Sequence, residues 1–290
     1  MYPRFLEARV VDALLSRPAV VLVGPRQAGK TTLAQRLAKK ADYTTLDQAS
    51  VLAAVRSDPD GFAESFSAST TIIDEVQRDL RDLADIRHVL DVPRLLAVVA
   101  DHAPAPLNVA RISSEIGLPR KTVDRYLALL EQAFLVWRLP AWHASVRYQQ
   151  VRSPKLLLTD SALMGHLLGL SPQALNVWGR RHLGRLLESF VAVELLKQSP
   201  WSSWRPRPFH WRTGDGAEVD VVLRSADGRI AGVEVKATAT VAESDFRHLE
   251  HLRQAVGRSF VRGIVLYTGS RALPFGDGLE AWPVSAVWSP

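Results

Sequence analysis

The chain has 290 residues, a net charge of +6 and a pI near 9.8. Because this length exceeds that of one ordinary domain, two or three domains are expected. The absence of cysteine excludes disulfides, thiolate zinc sites and a cysteine nucleophile, and it favours a cytoplasmic location. No apolar run in the sequence reaches the length of a membrane span. The mild basic excess is compatible with an acidic partner such as DNA, although solubility alone also explains it.

The first motif lies between an apolar segment, Ala19–Val23, and a helix-forming stretch, Leu33–Lys39. It fits G-x-x-x-x-G-K-T, the loop that binds nucleotide phosphates between a strand and a helix. In such a loop Lys30 neutralises the β- and γ-phosphates, and Thr31 offers its hydroxyl to Mg²⁺. A glycine-rich turn with an exposed lysine is the alternative. We predict an ATP site formed by Gly24, Pro25, Arg26, Gln27, Ala28, Gly29, Lys30, Thr31 and Thr32.

A second motif, the β-branched and apolar run Thr70–Ile73, ends in two carboxylates. A buried strand delivers acidic side chains to its C-terminal end in this way. We expect Asp74 to hold Mg²⁺ through water and Glu75 to act as the base that orients the attacking water. Taken together with the loop, this motif predicts an ATPase centre in which Lys30 and Glu75 are catalytic.

After Gln77 the apolar spacing becomes helical, and Pro93 is expected to separate two helices in a connector over 79–104. A RecA-like nucleotide core adds at least two more strand–helix units after its acidic strand. The sequence therefore predicts a truncated P-loop domain of about three strands over 1–78. Such a sheet would expose an apolar edge, so we expect a partner subunit or a second copy of the chain to complete it.

Residues 105–160 are predicted to form a winged helix-turn-helix. The segment Asn108–Pro119 indicates a short helix, a glycine turn and a proline that opens a second helix, Arg120–Gln132. Apolar runs at Phe134–Leu139 and Leu156–Leu158 supply the strands of a wing. The candidate DNA contacts on the outer face of the second helix are Arg120, Lys121 and Arg125. The alternative is a packing module that contacts proteins, and Asp124 among these basic residues weakens the DNA interpretation.

Residues 161–290 contain a predicted hairpin with a second set of acidic residues. Glu218–Leu223 alternates in the strand period, a turn follows at Ser225–Gly228, and Ile230–Lys236 returns. A hairpin that is symmetric about Asp227 places Asp220 opposite Glu234.

Two opposed carboxylates repel unless a cation lies between them, so we expect Mg²⁺ to be held by Asp220 and Glu234. Lys236 would then steady the attacking water or the developing charge. The same register places Glu218 opposite Lys236, and the alternative is a hairpin held by that cross-strand ion pair.

The D…E-x-K pattern is that of PD-(D/E)xK nucleases. Upstream, Leu186–Gln198 is predicted to be a helix whose Glu188 shares a face with apolar residues and therefore points toward the sheet. The candidate catalytic residues of a Mg²⁺-dependent nuclease are Glu188, Asp220, Glu234 and Lys236.

The motifs together resemble a bacterial and archaeal family of AAA-type ATPases. Its members carry a C-terminal domain of unknown function with a winged helix and a restriction-endonuclease-like fold. The signatures are Gly24–Leu33, Ile72–Gln77, Ser153–Leu156 leading to Thr159–Asp160, Leu187–Val191, Trp211–Thr213 with Glu218–Asp220, and Glu234–Ala237. They follow the family's order over nearly the whole chain.

This chain departs from the family's pattern in one segment. Members of the family place a sensor segment, further strands and a lid between the acidic motif and a helix resembling Arg78–Ile86, whereas here Gln77 leads straight into that helix. The sensor residue and the source of an arginine finger are missing, so hydrolysis is expected to be slow or absent unless another subunit supplies them.

The resulting expectation is an α/β protein with a truncated P-loop domain, a winged helix-turn-helix and a restriction-endonuclease-like domain. Its expected function is ATP binding as a nucleotide-dependent switch that acts on DNA or on a partner protein. The alternatives are a Mg²⁺-dependent DNA nuclease and a DNA-binding regulator without enzymatic activity.

Overall fold

The computed structural model of the protein describes residues 6–17, 20–24, 28–37, 41–66, 70–74, 91–143, 153–170 and 180–288. The chain forms two compact units, residues 1–87 (unit 1) and residues 88–290 (unit 2). Both units contain helices and strands, which confirms the predicted α/β class. Among the described helices, none combines the length and the apolar character that a membrane crossing requires.

Unit 1 has four described helices and one pair of strands. The helices are α1 (Glu7–Ser16), α2 (Lys30–Leu37), α3 (Ala49–Ser57) and α4 (Pro59–Glu64). Strand β1 (Asp42–Thr45) runs parallel to β2 (Thr71–Asp74), with Thr45 opposite Asp74. Because parallel strands end at the same edge of a sheet, both C-terminal ends lie together. The strand predicted to end at the acidic motif is confirmed up to Asp74.

The strand predicted at Ala19–Val23 is not found in its described part. Residues 20–24 lie outside both strands of unit 1, and Val21 and Val23 are 77% and 59% exposed. An apolar segment forms a strand only where a neighbour completes its backbone hydrogen bonds, and residues 20–24 pair with neither β1 nor β2. The prediction of about three strands is therefore wrong for the described residues of unit 1, which hold two.

The first part of unit 2 combines helices with a small antiparallel sheet. In chain order its elements are α5 (Asp91–His102), β3 (Ala105–Pro106), α6 (Val109–Ile116), α7 (Arg120–Gln132), β4 (Val136–Leu139), β5 (Lys155–Leu158) and α8 (Ser161–Leu167). The sheet order β3-β5-β4 makes β5 the central strand. The four residues of β5 are buried, as expected for a strand that is covered on both faces.

Local sequence signals explain the start and the end of α6. The Asn108 side chain caps its N-terminus by accepting a hydrogen bond from the Arg111 amide at 3.0 Å. Gly117 ends the helix with φ +71°, a conformation that glycine adopts without strain. Pro93 does not separate two helices as predicted. It lies in the first turn of α5, where an amide hydrogen is not needed for the helix.

The second part of unit 2 is a six-stranded mixed sheet between two helices. Its elements are α9 (Arg180–Gln198), β6 (Arg207–Arg212), β7 (Glu218–Arg224), β8 (Ile230–Lys236), α10 (Arg247–Val256), β9 (Phe260–Tyr267), β10 (Leu273–Pro274) and β11 (Leu279–Pro283). The order is β10-β11-β9-β8-β7-β6. Strands β6, β7 and β8 are antiparallel neighbours, whereas β9 runs parallel to β8 and to β11.

The sheet buries a separate apolar cluster on each face. On one face Leu249 and Leu252 of α10 pack with Val219 and Val222. On the other face Val191 of α9 belongs to a cluster that also takes in residues of β4, β5, β7 and β8. The cluster on the α9 side therefore joins the small sheet to the large one.

Candidate functional site

The predicted phosphate loop of unit 1 leads into α2, which begins at Lys30. Gly29 immediately before it has φ +75°, and its carbonyl accepts the Leu33 amide at 3.0 Å. The Lys30 ammonium donates to the Gly24 carbonyl at 3.0 Å. The first amides of a helix lack partners within the helix, so this terminus has the backbone groups that favour an anion.

Asp74, at the end of β2, accepts hydrogen bonds from two hydroxyl groups. Its Oδ2 accepts hydrogen bonds from the Thr31 hydroxyl at 2.7 Å and from the Tyr43 hydroxyl at 2.9 Å. Thr31 comes from the start of α2, and Tyr43 comes from the neighbouring strand β1. The two residues predicted to share Mg²⁺, Thr31 and Asp74, are thus in direct contact. Tyr43 was not predicted, because only the parallel pairing of β1 with β2 brings it to Asp74.

Of the remaining residues of the predicted ATP site, some are described by the structure and some are not. Ala28 is partly buried beside Gly29, whereas Thr32 is exposed. The other members lie outside the described residues: Pro25, Arg26, Gln27 and Glu75. The same holds for the helix expected at Arg78–Ile86.

In unit 2, the Lys155 ammonium lies at the centre of an acidic cluster. Its Nζ is 2.7 Å from Glu188 Oε1, 2.6 Å from Glu218 Oε1 and 3.5 Å from Asp220 Oδ1. The three carboxylates come from α9 and β7, and each offers an oxygen within 4.8 Å of the others. The Lys155 side chain is 1% exposed, whereas its three acidic partners are only partly buried. We call Lys155, Glu188, Glu218 and Asp220 the Lys155 cluster.

Burial and charge set the protonation of this cluster. Burial alone lowers the pKa of Lys155, but the Glu188, Asp220 and Glu218 carboxylates more than offset it, so the pKa is raised and the amine stays charged. Burial, with a contribution from Asp220, raises the pKa of Glu188 to about 8. Burial also opposes ionisation of Glu218, but Lys155 outweighs it and lowers the pKa of this carboxyl.

Of the predicted pair, Asp220 belongs to the Lys155 cluster, whereas Glu234 contacts Lys236. Asp220 Oδ2 accepts a hydrogen bond from the Val235 amide at 2.9 Å, which ties the start of β7 to β8. Glu234 is 5% exposed and contacts Lys236 Nζ at 3.0 Å, while its Oε2 is buried without a hydrogen-bond partner in the described structure. Burial, followed by Asp220, raises the pKa of Glu234 to about 8, so the carboxyl holds a proton at neutral pH.

The alternative ion pair between Glu218 and Lys236 is wrong. Glu218 contacts Lys155 at 2.6 Å and Arg212 at 3.8 Å, whereas Lys236 contacts Glu234 on its own strand. Sequence reasoning missed Lys155 as a site residue because β5 belongs to the other sheet. The signal that was available is a single lysine at the start of the buried run Leu156–Leu158.

Two further polar contacts reinforce the junction between the two parts of unit 2. The His210 ring donates from Nε2 to the Ser153 carbonyl at 3.2 Å, and burial together with Lys155 lowers the pKa of this histidine to about 4. The Arg185 guanidinium on α9 donates to the Ala103 carbonyl at 2.7 Å, just beyond the end of α5.

The predicted DNA-contact residues lie on the exposed face of α7. Arg120, Lys121 and Arg125 are all exposed, and so is Asp124. The opposite face buries Val123, Tyr126, Leu127, Leu129 and Leu130. The division into an inner apolar face and an outer charged face is the one that the sequence predicts.

Comparison with known proteins assigns no function. Residues 51–174 match the model of a domain of unknown function (DUF8612), and residues 183–287 match that of another domain of unknown function (DUF4143). Uncharacterised proteins of Mycobacterium tuberculosis and Mycobacterium bovis are 28% identical over 234 residues, which is 80% of this chain and 50% of each relative. An uncharacterised protein of Haemophilus influenzae is 27% identical over 158 residues, 51% of this chain and 35% of that protein.

The chain spans about half the length of its mycobacterial relatives. No solved structure matches it. Lys155 lies in the segment that matches DUF8612, and its three carboxylate partners lie in the segment that matches DUF4143. The Lys155 cluster is therefore built by both of the matched segments together.

Proposed function

We propose that unit 1 binds ATP with Mg²⁺ and that the protein is a nucleotide-dependent switch. The observation that carries this proposal is the 2.7 Å contact between Thr31 at the start of α2 and Asp74 at the end of β2. A hydroxyl and a carboxylate in these positions are the two protein groups that a P-loop uses for Mg²⁺. The contact arises from residues that are 43 positions apart, so local sequence does not impose it.

Each residue of the proposed ATP site has a chemical role. Gly24, Ala28 and Gly29 supply backbone amides to phosphate oxygens, and Lys30 supplies the positive charge. Thr31 would bind Mg²⁺ directly, and Asp74 would hold it through water. When bound, Mg²⁺ neutralises the charge on the phosphates. The 3.0 Å contact of the Lys30 ammonium with the Gly24 carbonyl holds this charge beside the start of the loop.

Binding is proposed without rapid hydrolysis by this chain alone. The sequence leads from Gln77 directly into the segment resembling the family's later helix, so it lacks the segment that carries a sensor. The exposure of Val21 and Val23 also supports an incomplete sheet that another subunit, or a second copy, would cover. Turnover would then depend on that subunit.

A titration with a fluorescent ATP analogue and Mg²⁺ tests the proposal. Lys30→Ala should weaken binding by at least about tenfold, because it removes a charge-assisted contact to phosphate. Arg56→Ala is the matched control, since it removes one exposed cation from unit 1 without touching the loop. Equal binding by Lys30→Ala and by the unaltered protein would disprove a P-loop site. Phosphate release measured on the same samples should be slow.

A second candidate is DNA binding by α7. Unit 2 orders its elements as helix, strand, helix, helix, strand, strand, and α7 is the last helix before the strand pair. That order supports the winged-helix interpretation, with α7 as the recognition helix. Removing Arg120, Lys121 and Arg125 together should weaken DNA binding and lower its salt dependence by about one unit per lost phosphate contact. A salt slope that does not change would eliminate α7 as the contact surface.

A further inference from the structure

The nuclease-like pattern of unit 2 implies a divalent metal, and the Lys155 cluster allows a direct test of the fit. Such a metal needs free carboxylate oxygens from Asp220 and from a second acid. Asp220 faces the Lys155 ammonium with Oδ1 at 3.5 Å and accepts the Val235 amide with Oδ2 at 2.9 Å. Each Asp220 oxygen therefore already has a donor or a cation beside it, and the acids whose oxygens lie close enough to Asp220 to share one ion are Glu188 and Glu218 among the described residues.

The Lys155 ammonium also fills the position that a cation would take. It contacts oxygens of Glu188 and Glu218 at 2.7 Å and 2.6 Å, and these are two of the three carboxylates close enough to share one ion. A divalent cation among the same oxygens would lie within a few ångströms of the ammonium. Because the ammonium itself is 1% exposed, water screens the repulsion at that separation only weakly.

Lys155 is held in this position by its place in the fold. It begins β5, the central strand of the small sheet, and lies opposite Leu139 of β4 and Pro106 of β3. Leu156, Leu157 and Leu158 after it are at most 1% exposed. Moving the ammonium away would take the nearest cation from Glu218 and Asp220 and the hydrogen-bond donor from Glu188, so the lysine cannot give way easily to a metal.

We infer that Lys155 is the resident cation of this acidic cluster, that it takes the place of a divalent metal, and that unit 2 is therefore not a metal-dependent nuclease. In this role the lysine is a structural group. It joins β5 of the small sheet to α9 and to β7 of the large sheet. The nuclease-like residues of unit 2 then form a junction between the two parts of the unit.

Manganese binding to the full chain without nucleotide, followed by electron paramagnetic resonance, tests this inference. The unaltered protein and Asp220→Asn should bind Mn²⁺ identically, because Asp220 contributes to no metal site. Lys155→Ala should gain a Mn²⁺ site at least tenfold tighter than any in unit 2 of the unaltered protein. The double variant Lys155→Ala with Asp220→Asn should lose the gained Mn²⁺ site. This loss distinguishes a new site in unit 2 from Mn²⁺ binding in unit 1, which neither substitution touches.

Two results would overturn the inference. One is Mn²⁺ binding, or Mg²⁺-dependent nicking of plasmid DNA, that the unaltered protein shows and Asp220→Asn loses. The other is a folded Lys155→Ala variant that gains no Mn²⁺ site. Should Lys155→Ala fail to fold, Lys155→Met preserves the side-chain volume. The comparison of the unaltered protein with Asp220→Asn needs no lysine variant at all.

Discussion

The Lys155 ammonium lies 2.6 Å from the Glu218 carboxylate, although the two residues belong to different sheets of unit 2. Lys155 starts a strand in the small sheet, and Glu218 starts a strand in the large one. Glu188 adds a contact from α9, the helix that packs against strands of both sheets. The fold of unit 2 therefore depends on a charged junction as well as on its two apolar clusters.

Replacing Lys155 by Met should destabilise unit 2 by up to about 3 to 5 kcal/mol, because it removes the nearest cation from the partly buried Glu218 and Asp220 carboxylates. All eight tryptophans lie in unit 2, so tryptophan fluorescence during urea unfolding reports on this unit alone. Lys121→Met is the control, since Lys121 is exposed on α7 and its replacement should change the unfolding free energy by less than about 0.5 kcal/mol. Similar losses for both variants would refute the role of the Lys155 cluster in stability.

The stability of unit 2 should fall as the pH rises from about 6.5 to about 8. Glu188 and Glu234 keep their protons up to about pH 8 in the folded state but lose them near 4.5 when unfolded. The folded state therefore binds more protons than the unfolded state in this window, and raising the pH removes that advantage. Between about pH 4 and 6.5, His210 acts in the opposite direction. Its pKa is near 4 in the folded state, so the unfolded state binds the proton more readily and lowering the pH destabilises the fold.

Glu234→Gln isolates one of the two carboxyls. It keeps the shape of the side chain and should reduce the slope of unfolding free energy against pH between about 6.5 and 8. Exposed Glu243 offers the matched control, and Glu243→Gln should leave that slope as it is. An unaltered slope in Glu234→Gln would contradict the assignment of a raised pKa to Glu234.

Local patterns account for much of unit 2. The alternation of Glu218–Leu223 and Ile230–Lys236 gave both strands of the hairpin, and the register Val221–Val233 agrees with the predicted symmetry about Asp227. Helix α7 has the predicted bounds Arg120–Gln132. These elements are set by neighbours that are close in sequence, which is why spacing reveals them.

Contacts between distant segments were not predictable in the same way. Lys155 meets Glu218 only when two sheets pack together, and no spacing rule relates them. Tyr43 reaches Asp74 only through the pairing of β1 with β2. The strand predicted at Ala19–Val23 is absent from residues 20–24, because an apolar segment of strand-like composition still needs a neighbour to form a strand.

Gly232 and Gly263 lie opposite each other on β8 and β9, where α10 approaches the sheet closely. A methyl group on Gly232 would come within 2.6 Å of Leu249 Cδ2, so Gly232→Ala should destabilise unit 2 by about 1 to 3 kcal/mol through overpacking. Gly184 on α9 has open space around it, and Gly184→Ala should stabilise the helix by up to about 1 kcal/mol.

A double-mutant cycle with Leu249→Ala checks the cause of the Gly232→Ala effect. In that background the methyl group has room, and the cost of Gly232→Ala should largely disappear. An unchanged cost in both backgrounds would assign the effect to the backbone of β8 and not to the contact with Leu249. Tryptophan fluorescence in urea again provides the measurement.

Tyr43→Phe tests the role of Tyr43 in the proposed ATP site. The substitution removes the hydroxyl that donates to Asp74 at 2.9 Å but leaves Lys30 and the loop untouched. Because Asp74 would hold Mg²⁺, we expect nucleotide affinity to fall about two- to tenfold with Mg²⁺ and to remain constant in EDTA. Lys30→Ala should weaken binding under both conditions, since it acts on phosphate. A Tyr43→Phe variant that loses affinity equally with and without Mg²⁺ would show that Tyr43 supports the fold of unit 1 and has no specific effect on the metal.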